Sequence, residues 1–239
     1  MKMSMLSLGC DKNTVDSEMM LGLMNEKGFE YTDIDEEAEV MIINTCGFIQ
    51  SAKEESINAI LEAARLKEEG NLKALIVTGC LAQRYKDEII KEIPEVDALL
   101  GTSSFDKIVE TVEDVLGGEI KNEFLDLDRL PSISKKRKNS TGGYYAYLKI
   151  AEGCNKNCTY CIIPSLRGNY RSYPLEDLIT QAKDLASQGI KELILVAQET
   201  TLYGVDLYKE KTLPKLLKEL AKIDGIEWIR ILYCYPEEI

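Results

Sequence analysis

Along this chain, short apolar runs alternate with longer stretches in which apolar positions recur every three or four residues. Met3 to Leu8, Val40 to Asn44, Leu75 to Thr78 and Val96 to Leu100 are compact and apolar, the signature of buried strands. Between and after them, Thr14 to Lys27, Ser51 to Glu69, Ala82 to Ile93 and Phe105 to Leu116 carry the helical period. Ser51 followed by Glu54 reads as a capping box at the second helix start. Strands that alternate with helices imply a parallel sheet, so the fold class is α/β, with a first domain over residues 1–118 ending at Gly117 and Gly118.

From Glu119 to Gly143 the periodicity lapses. Pro131, the basic run Lys135 to Lys138 and the Ser140, Thr141, Gly142, Gly143 stretch suggest an interdomain linker. A second series then begins, with strand Tyr144 to Ile150, helix Leu175 to Gln188, strand Glu192 to Ala197, helix Leu213 to Ile223 and strand Trp228 to Tyr233. Gly189 is the expected helix stop. Three such units do not close a barrel, and the last strand is left as an open edge. Residues 144–239 therefore read as an incomplete domain of a longer protein.

Cysteine changes the picture from fold to chemistry. There are seven cysteines and no histidine. The missing histidine removes the commonest general base and the commonest zinc ligand, which excludes Ser-His, Cys-His and His-rich metal chemistry. No apolar run is long enough to span a bilayer and the N-terminus has no signal-like segment, so a cytoplasmic protein with reduced thiols is expected. Cys10, Cys46 and Cys80 each follow a predicted parallel strand. Carboxyl ends of parallel strands share one rim, where α/β sheets bind ligands, so three thiolates distant in sequence are expected to converge. Singly, each is better explained as a packed core residue, but their common position after three parallel strands reverses this in favour of a second cluster with an open iron; Cys234, alone on the last strand, is read as core packing.

Cys154, Cys158 and Cys161 form a CxxxCxxC loop directly after a strand, with Gly153, Asn155 and Asn157 giving the loop freedom to bend. Three thiolates suit a 4Fe-4S cube with one iron left open for a non-protein ligand, here the amino and carboxylate groups of S-adenosylmethionine. A structural zinc knot lacks its fourth ligand, and a redox CxxC pair leaves Cys154 unexplained.

Charge divides the chain as well. The net charge is -12, and residues 1–118 hold 11 Lys+Arg against 24 Asp+Glu while the remainder carries 18 against 17. An acidic first domain repels nucleic-acid phosphates and suits a basic partner.

The pieces SLGCDKNTVDSE (Ser7 to Glu18), INTCGFIQSAKEESI (Ile43 to Ile57), VTGCLAQRY (Val77 to Tyr85), YLKIAEGCNKNCTYCIIPSLRG (Tyr147 to Gly168) and ILVAQETTLYG (Ile194 to Gly204) together resemble the radical S-adenosylmethionine methylthiotransferases. Within that family they look like the type that modifies an aspartate of small-subunit ribosomal protein S-twelve. The resemblance covers essentially the whole chain. It implies a parallel-sheet methylthiotransferase domain followed by the first half of a partial (β/α) barrel, with the family's closing units and its C-terminal TRAM domain absent. It implies a radical 4Fe-4S cluster on Cys154, Cys158 and Cys161, and an auxiliary 4Fe-4S cluster for sulfur delivery on Cys10, Cys46 and Cys80. S-adenosylmethionine serves twice, as methyl donor and as radical source. Tyr160 is placed where the superfamily puts an aromatic beside the adenine. Gln198 and Glu199, at the end of the second strand of the radical domain, are expected to meet the methionine moiety.

As partners the resemblance implies ribosomal protein S-twelve, an unspecified reductant and an unspecified sulfur donor; a monomer is expected, with no membrane and no nucleic-acid partner. Two rival readings stand beside it. One is a tRNA adenosine methylthiotransferase, which shares both clusters but differs from GFIQSAKEES and DKNTVDSE. The other is a non-enzymatic iron-sulfur carrier or scaffold.

Overall fold

The computed structural model describes residues 1–133 and 137–238, so Lys135 and Lys136 of the expected basic run lie outside the described residues. The chain forms two compact units, Met1–Pro131 and Ser132–Ile239.

The first unit runs β1 (Lys2–Ser7), α1 (Asp11–Glu26), β2 (Glu30–Tyr31), β3 (Val40–Thr45), α2 (Gln50–Glu69), β4 (Ala74–Gly79), α3 (Cys80–Arg84), α4 (Lys86–Glu92), β5 (Ala98–Leu100) and α5 (Ile108–Leu116). Its sheet has the order β2-β1-β3-β4-β5, all parallel. Every residue of β3 and β4 is buried, as expected of central strands covered on both faces, which is why they read as unbroken apolar runs. Side chains alternate between the faces. Met41, Ile43, Leu75, Val77 and Leu99 meet Ile60, Ala63 and Ala64 of α2 and Leu81, Ile89 and Ile93 beside or within α3 and α4. The other face receives α1, which packs on β1 and β3, and α5, which packs on β4 and β5. Strand order reverses between β1 and β3, where doubly wound sheets open a ligand crevice at the carboxyl ends.

The second unit runs β6 (Tyr145–Lys149), β7 (Ala151–Glu152), α6 (Ile163–Arg167), β8 (Arg171–Ser172), α7 (Leu175–Ser187), β9 (Glu192–Val196), α8 (Val205–Tyr208), α9 (Leu213–Leu220) and β10 (Trp228–Ile231). β6, β9 and β10 form a parallel sheet in the order β10-β9-β6, each strand lying beside its successor as in a barrel wall. β7 and β8 make a short antiparallel pair at the base of the cysteine loop.

Several sequence expectations change. The helix read over Ala82 to Ile93 is two helices, because Tyr85 leaves helical geometry at φ -125, ψ 33. The Ser51/Glu54 capping box does not form. The helix starts at Gln50 after Ile49 with no side-chain cap, and Glu54 instead accepts from Gln50 Nε2 at 2.9 Å. Residues 119–131, read as part of a linker, pack on the first unit. Gly101 N donates to Glu123 O and Glu123 N to Leu99 O, both at 2.8 Å, while Asn122 accepts from Leu99 N. These bonds satisfy the outer edge of β5, a tertiary need that leaves no periodic trace in sequence. β2, only two residues long, was not expected at all.

Candidate functional site

The first rim is built by three neighbouring strands. Cys10 follows β1 and immediately precedes α1, Cys46 follows β3, and Cys80 opens α3 directly after β4. Adjacent strands stand about 4.8 Å apart, so the three strand ends span about 10 Å. Close backbone approaches draw their loops together. A Cβ placed on Gly9 would lie 2.7 Å from Cys46 Cβ and 3.0 Å from its Sγ. One on Gly47 would lie 3.0 Å from Leu81 N and 3.1 Å from the Cys80 carbonyl. Gly79, at φ +93, turns β4 into α3, and a side chain there would meet Asn44 Oδ1 at 2.4 Å.

A polar knot fixes this rim. Asn13 Nδ2 donates to Leu8 O at 2.9 Å and to Thr45 O at 3.0 Å, tying the β1–α1 turn to the end of β3. Asn44 Nδ2 answers with Asn13 O at 2.9 Å and Ser17 Oγ at 3.0 Å. Ser56 of α2 accepts from Cys46 N and donates to Cys46 O, both at 3.0 Å. Cys10 and Cys46 are half-buried, Cys80 is buried, and none of the seven cysteines is in a disulfide. Among the described residues no three Cys, Asp or Glu side chains close to single-ion distances. The fit of a cluster rests on an all-thiol donor set carried by three adjoining strand ends.

In the second unit the CxxxCxxC loop leaves β7 through Gly153, at φ +70, where a Cβ would overlap the Gly168 and Asn169 carbonyls. Cys154 N donates to Gly168 O at 3.2 Å, Tyr170 N to Asn155 Oδ1 at 2.9 Å, and Cys161 N to Cys158 O at 2.9 Å. Beneath the loop sits a buried ionic group that sequence reading missed. Glu152 pairs with Lys149 and with Arg167, whose Nη1 lies 3.0 Å from Oε2, and all three are at most 2% exposed. Burial alone would raise the Glu152 carboxyl, but the Lys149 ammonium and Arg167 guanidinium hold it well below the usual carboxylate range. Because Lys149 and Glu152 precede the loop and Arg167 follows it, the group clamps both ends. Both ends of the clamp lie inside the segment KIAEGC…IPSLRG, but only the fold shows that they meet.

Gln198 and Glu199 fall just beyond β9, at the carboxyl rim as expected. Both amide atoms of Gln198 are shut from solvent and have no hydrogen-bond partner among the described residues. Glu199 is fully buried; Oε1 accepts from Thr201 Oγ1 and Thr201 N. Its Oε2 has Lys156 Nζ at 3.1 Å, a charge contact outside hydrogen-bond alignment. Lys156, from the cysteine loop, also lies 3.6 Å from the Tyr235 ring centroid. Sequence reading named neither Lys156 nor Tyr235, since lysine within a loop carries no signal of its own. Tyr160 is 86% exposed, so its ring is not used in core packing. Cys234 lies past β10 with Thr200 Oγ1 3.3 Å from its sulfur, in a polar setting rather than the apolar core expected for it.

Residues 2–101 match the family described as "Uncharacterized protein family UPF0004" and residues 148–237 match the "Radical SAM superfamily". Along its whole length the chain is 64% identical to "Ribosomal protein uS12 methylthiotransferase RimO" of Lachnoclostridium phytofermentans, and 54% identical to the protein of that name in Clostridioides difficile. The chain spans about half the length of these curated relatives, 54% of each. Among solved structures it is similar to the cobalamin-dependent S-adenosylmethionine radical enzyme OxsB, with a TM-score of 0.63 at 14% identity over 95% of this chain and 38% of that one. It is also similar to the radical S-adenosylmethionine methyltransferase TsrM from Kitasatospora setae, with a TM-score of 0.58 at 14% identity over 91% of this chain and 50% of that one. At these identities the likeness shows a shared fold.

Proposed function

We propose that the chain belongs to the RimO methylthiotransferase family and that the full protein adds a methylthio group to the β-carbon of an aspartate in small-subunit ribosomal protein S-twelve. The observation that carries this reading is the pairing, in one chain, of three cysteine-bearing strand ends with a separate CxxxCxxC loop. A carrier needs no loop with an iron left open, and the two relatives named above, matched along the whole chain, carry the ribosomal-protein name rather than a tRNA one. The acidic first domain suits a basic ribosomal protein.

In this reading Cys154, Cys158 and Cys161 hold one [4Fe-4S] cluster, and Cys10, Cys46 and Cys80 hold a second. When bound, the first cluster and S-adenosylmethionine would supply radical chemistry able to act on an unactivated C–H bond. The chain's own residues do the rest. Three thiolates leave one iron without a protein ligand, the Glu152 clamp and the Cys154 N–Gly168 O bond hold the loop in shape, and Tyr160 offers a free ring face to the adenine. Gln198 and Glu199 receive the methionine moiety, the unpartnered Gln198 amide being the group most in need of a ligand. At the first rim, the Asn13–Asn44 knot ties together the strand ends bearing Cys10 and Cys46, two of the three thiols that would hold the second cluster.

Two measurements on full-length protein test the reading. Anaerobic incubation with reductant and S-adenosylmethionine should yield 5'-deoxyadenosine, whose absence would support the carrier. In cells lacking the gene, mass spectrometry should find the aspartate unmodified; loss of methylthio-adenosine from tRNA instead would overturn the substrate.

A further inference from the structure

We propose that the cleft between α2 and α4 is a docking groove for a basic, amphipathic segment of the protein substrate, gripped beside Cys46 and Cys80. The inference rests on the ribosomal-protein reading above and adds to it the surface that holds the substrate.

α2 and α4 cover the same face of the first sheet, and a cleft of about 450 Å³ remains between them. Ile57 and Leu61, one turn apart on α2, form one wall, and Ile89 and Ile93 the other. Ile57 and Leu61 are still 41% and 43% exposed, so the wall is apolar and open to a partner. From Gln50 to Leu61 the groove follows α2 for about 16 Å, or three helical turns. One end lies at the first rim, because Gln50 opens α2 four residues after Cys46, and Leu81 in the floor follows Cys80. Between Cys46 and Gln50 the chain exposes two more apolar side chains, Phe48 and Ile49. Among the described residues, no polar side-chain atom of the groove is buried without a partner. Nothing there waits to orient a small polar ligand. The groove instead suits apolar side chains presented at helical spacing.

Charge selects the occupant. Glu88 and Glu92 stand on the α4 side of the groove. Glu88 makes no ion pair among the described residues, and Glu92 meets its exposed neighbour Lys91 at 2.7 Å, a contact that an incoming cation can replace. Against them stands Lys53, whose Nζ lies 5.8 Å from the Tyr85 ring centroid, so the groove is net acidic within a domain of 11 Lys+Arg against 24 Asp+Glu. A segment with apolar residues on one face and lysine or arginine beside them matches both the walls and the acids. A ribosomal protein, which neutralises RNA phosphates, supplies such segments. A second copy brings a net charge of -12 and is repelled, as are nucleic acid and an anionic membrane.

The test is equilibrium binding of purified ribosomal protein S-twelve to cluster-loaded full-length protein, with KM, kcat and iron content measured for each variant. The double variant Ile57→Gln, Leu61→Gln keeps good helix formers on α2 and should weaken binding and raise KM at least about tenfold, with kcat and iron content within about twofold of wild type. The double variant Glu88→Gln, Glu92→Gln should weaken binding about threefold at low salt and by less as salt rises. Unchanged binding in both variants, or a fall in kcat that matches the loss of binding, overturns the proposal. Should the apolar variant fail to hold iron, the acidic variant carries the test, and a loss of binding that ignores salt is then the contrary result. Lower thermal stability of the variants in the absence of S-twelve would place the rest of the chain in the groove, and loss of a dimer on sedimentation would place a second copy there; either overturns the proposal. A wild type that neither binds nor modifies S-twelve overturns the ribosomal-protein reading itself. A wild type that does both, with variants that match it, overturns only the groove.

Discussion

Replacing Asn13 by alanine probes the first rim without touching a cysteine. Asn13 is 1% exposed, and its amide is a donor to two carbonyls, Leu8 O and Thr45 O, that belong to different strand ends. Removing it deletes both bonds and strands their acceptors at a buried position. Each such loss costs about 1–2 kcal/mol, and the vacated volume adds to this, so about 2–4 kcal/mol is expected in total. Against the about 5–15 kcal/mol of a typical domain that is a large fraction, yet the sheet should survive. Denaturant unfolding of the metal-free chain, with an unchanged m-value, measures the stability change. The same variant, reconstituted anaerobically, should lose part of the iron bound at Cys10, Cys46 and Cys80, since the loop bearing Cys10 then loses its side-chain tie to Thr45 O and keeps only the bonds made by Asn44. A stability change below about 0.5 kcal/mol with full iron binding would refute the claim that this knot positions the site.

Other substitutions separate the remaining elements. Gly79→Ala should cost more than about 2 kcal/mol in the same unfolding assay, because its φ of +93 is combined with a 2.4 Å approach to Asn44 Oδ1; a neutral effect would mean that the β4–α3 turn is not held as described. Glu152 has a folded pKa below its unfolded value of about 4.3. Its contribution is therefore present above about pH 4.3 and is lost as the pH falls toward the folded value. Glu152→Gln should be less stable at neutral pH, by about 3–5 kcal/mol for a broken buried pair, and should show a shallower loss of stability below pH 4.3 than wild type; parallel acid profiles would contradict the pairing. Cys234→Ser should leave iron content unchanged, and a loss of iron would assign this cysteine a ligand role.

Much of this was legible in the sequence because parallel α/β folds write themselves in alternation. β3 and β4, buried on both faces, are unbroken apolar runs, and their cysteines fall at the carboxyl ends because a fixed topology places them there. What escaped was tertiary. The split at Tyr85 depends on a local backbone turn inside a continuous helical period. The packing of residues 119–131 on β5 is a matter of edge hydrogen bonds made by Asn122 and Glu123, residues that any loop might carry. Lys149, Glu152 and Arg167 look like ordinary surface charges in sequence, and only burial turns them into a clamp. Lys156 and Tyr235, 79 positions apart, meet because β6 and β10 flank β9.

Iron and sulfide content of anaerobically purified full-length protein reports whether one chain holds two cysteine-ligated clusters. Wild type should carry about eight irons per chain, as two cubane clusters require, and the variant with Cys10, Cys46 and Cys80 all changed to alanine about four. An unchanged iron content in that variant would contradict the assignment of the first rim.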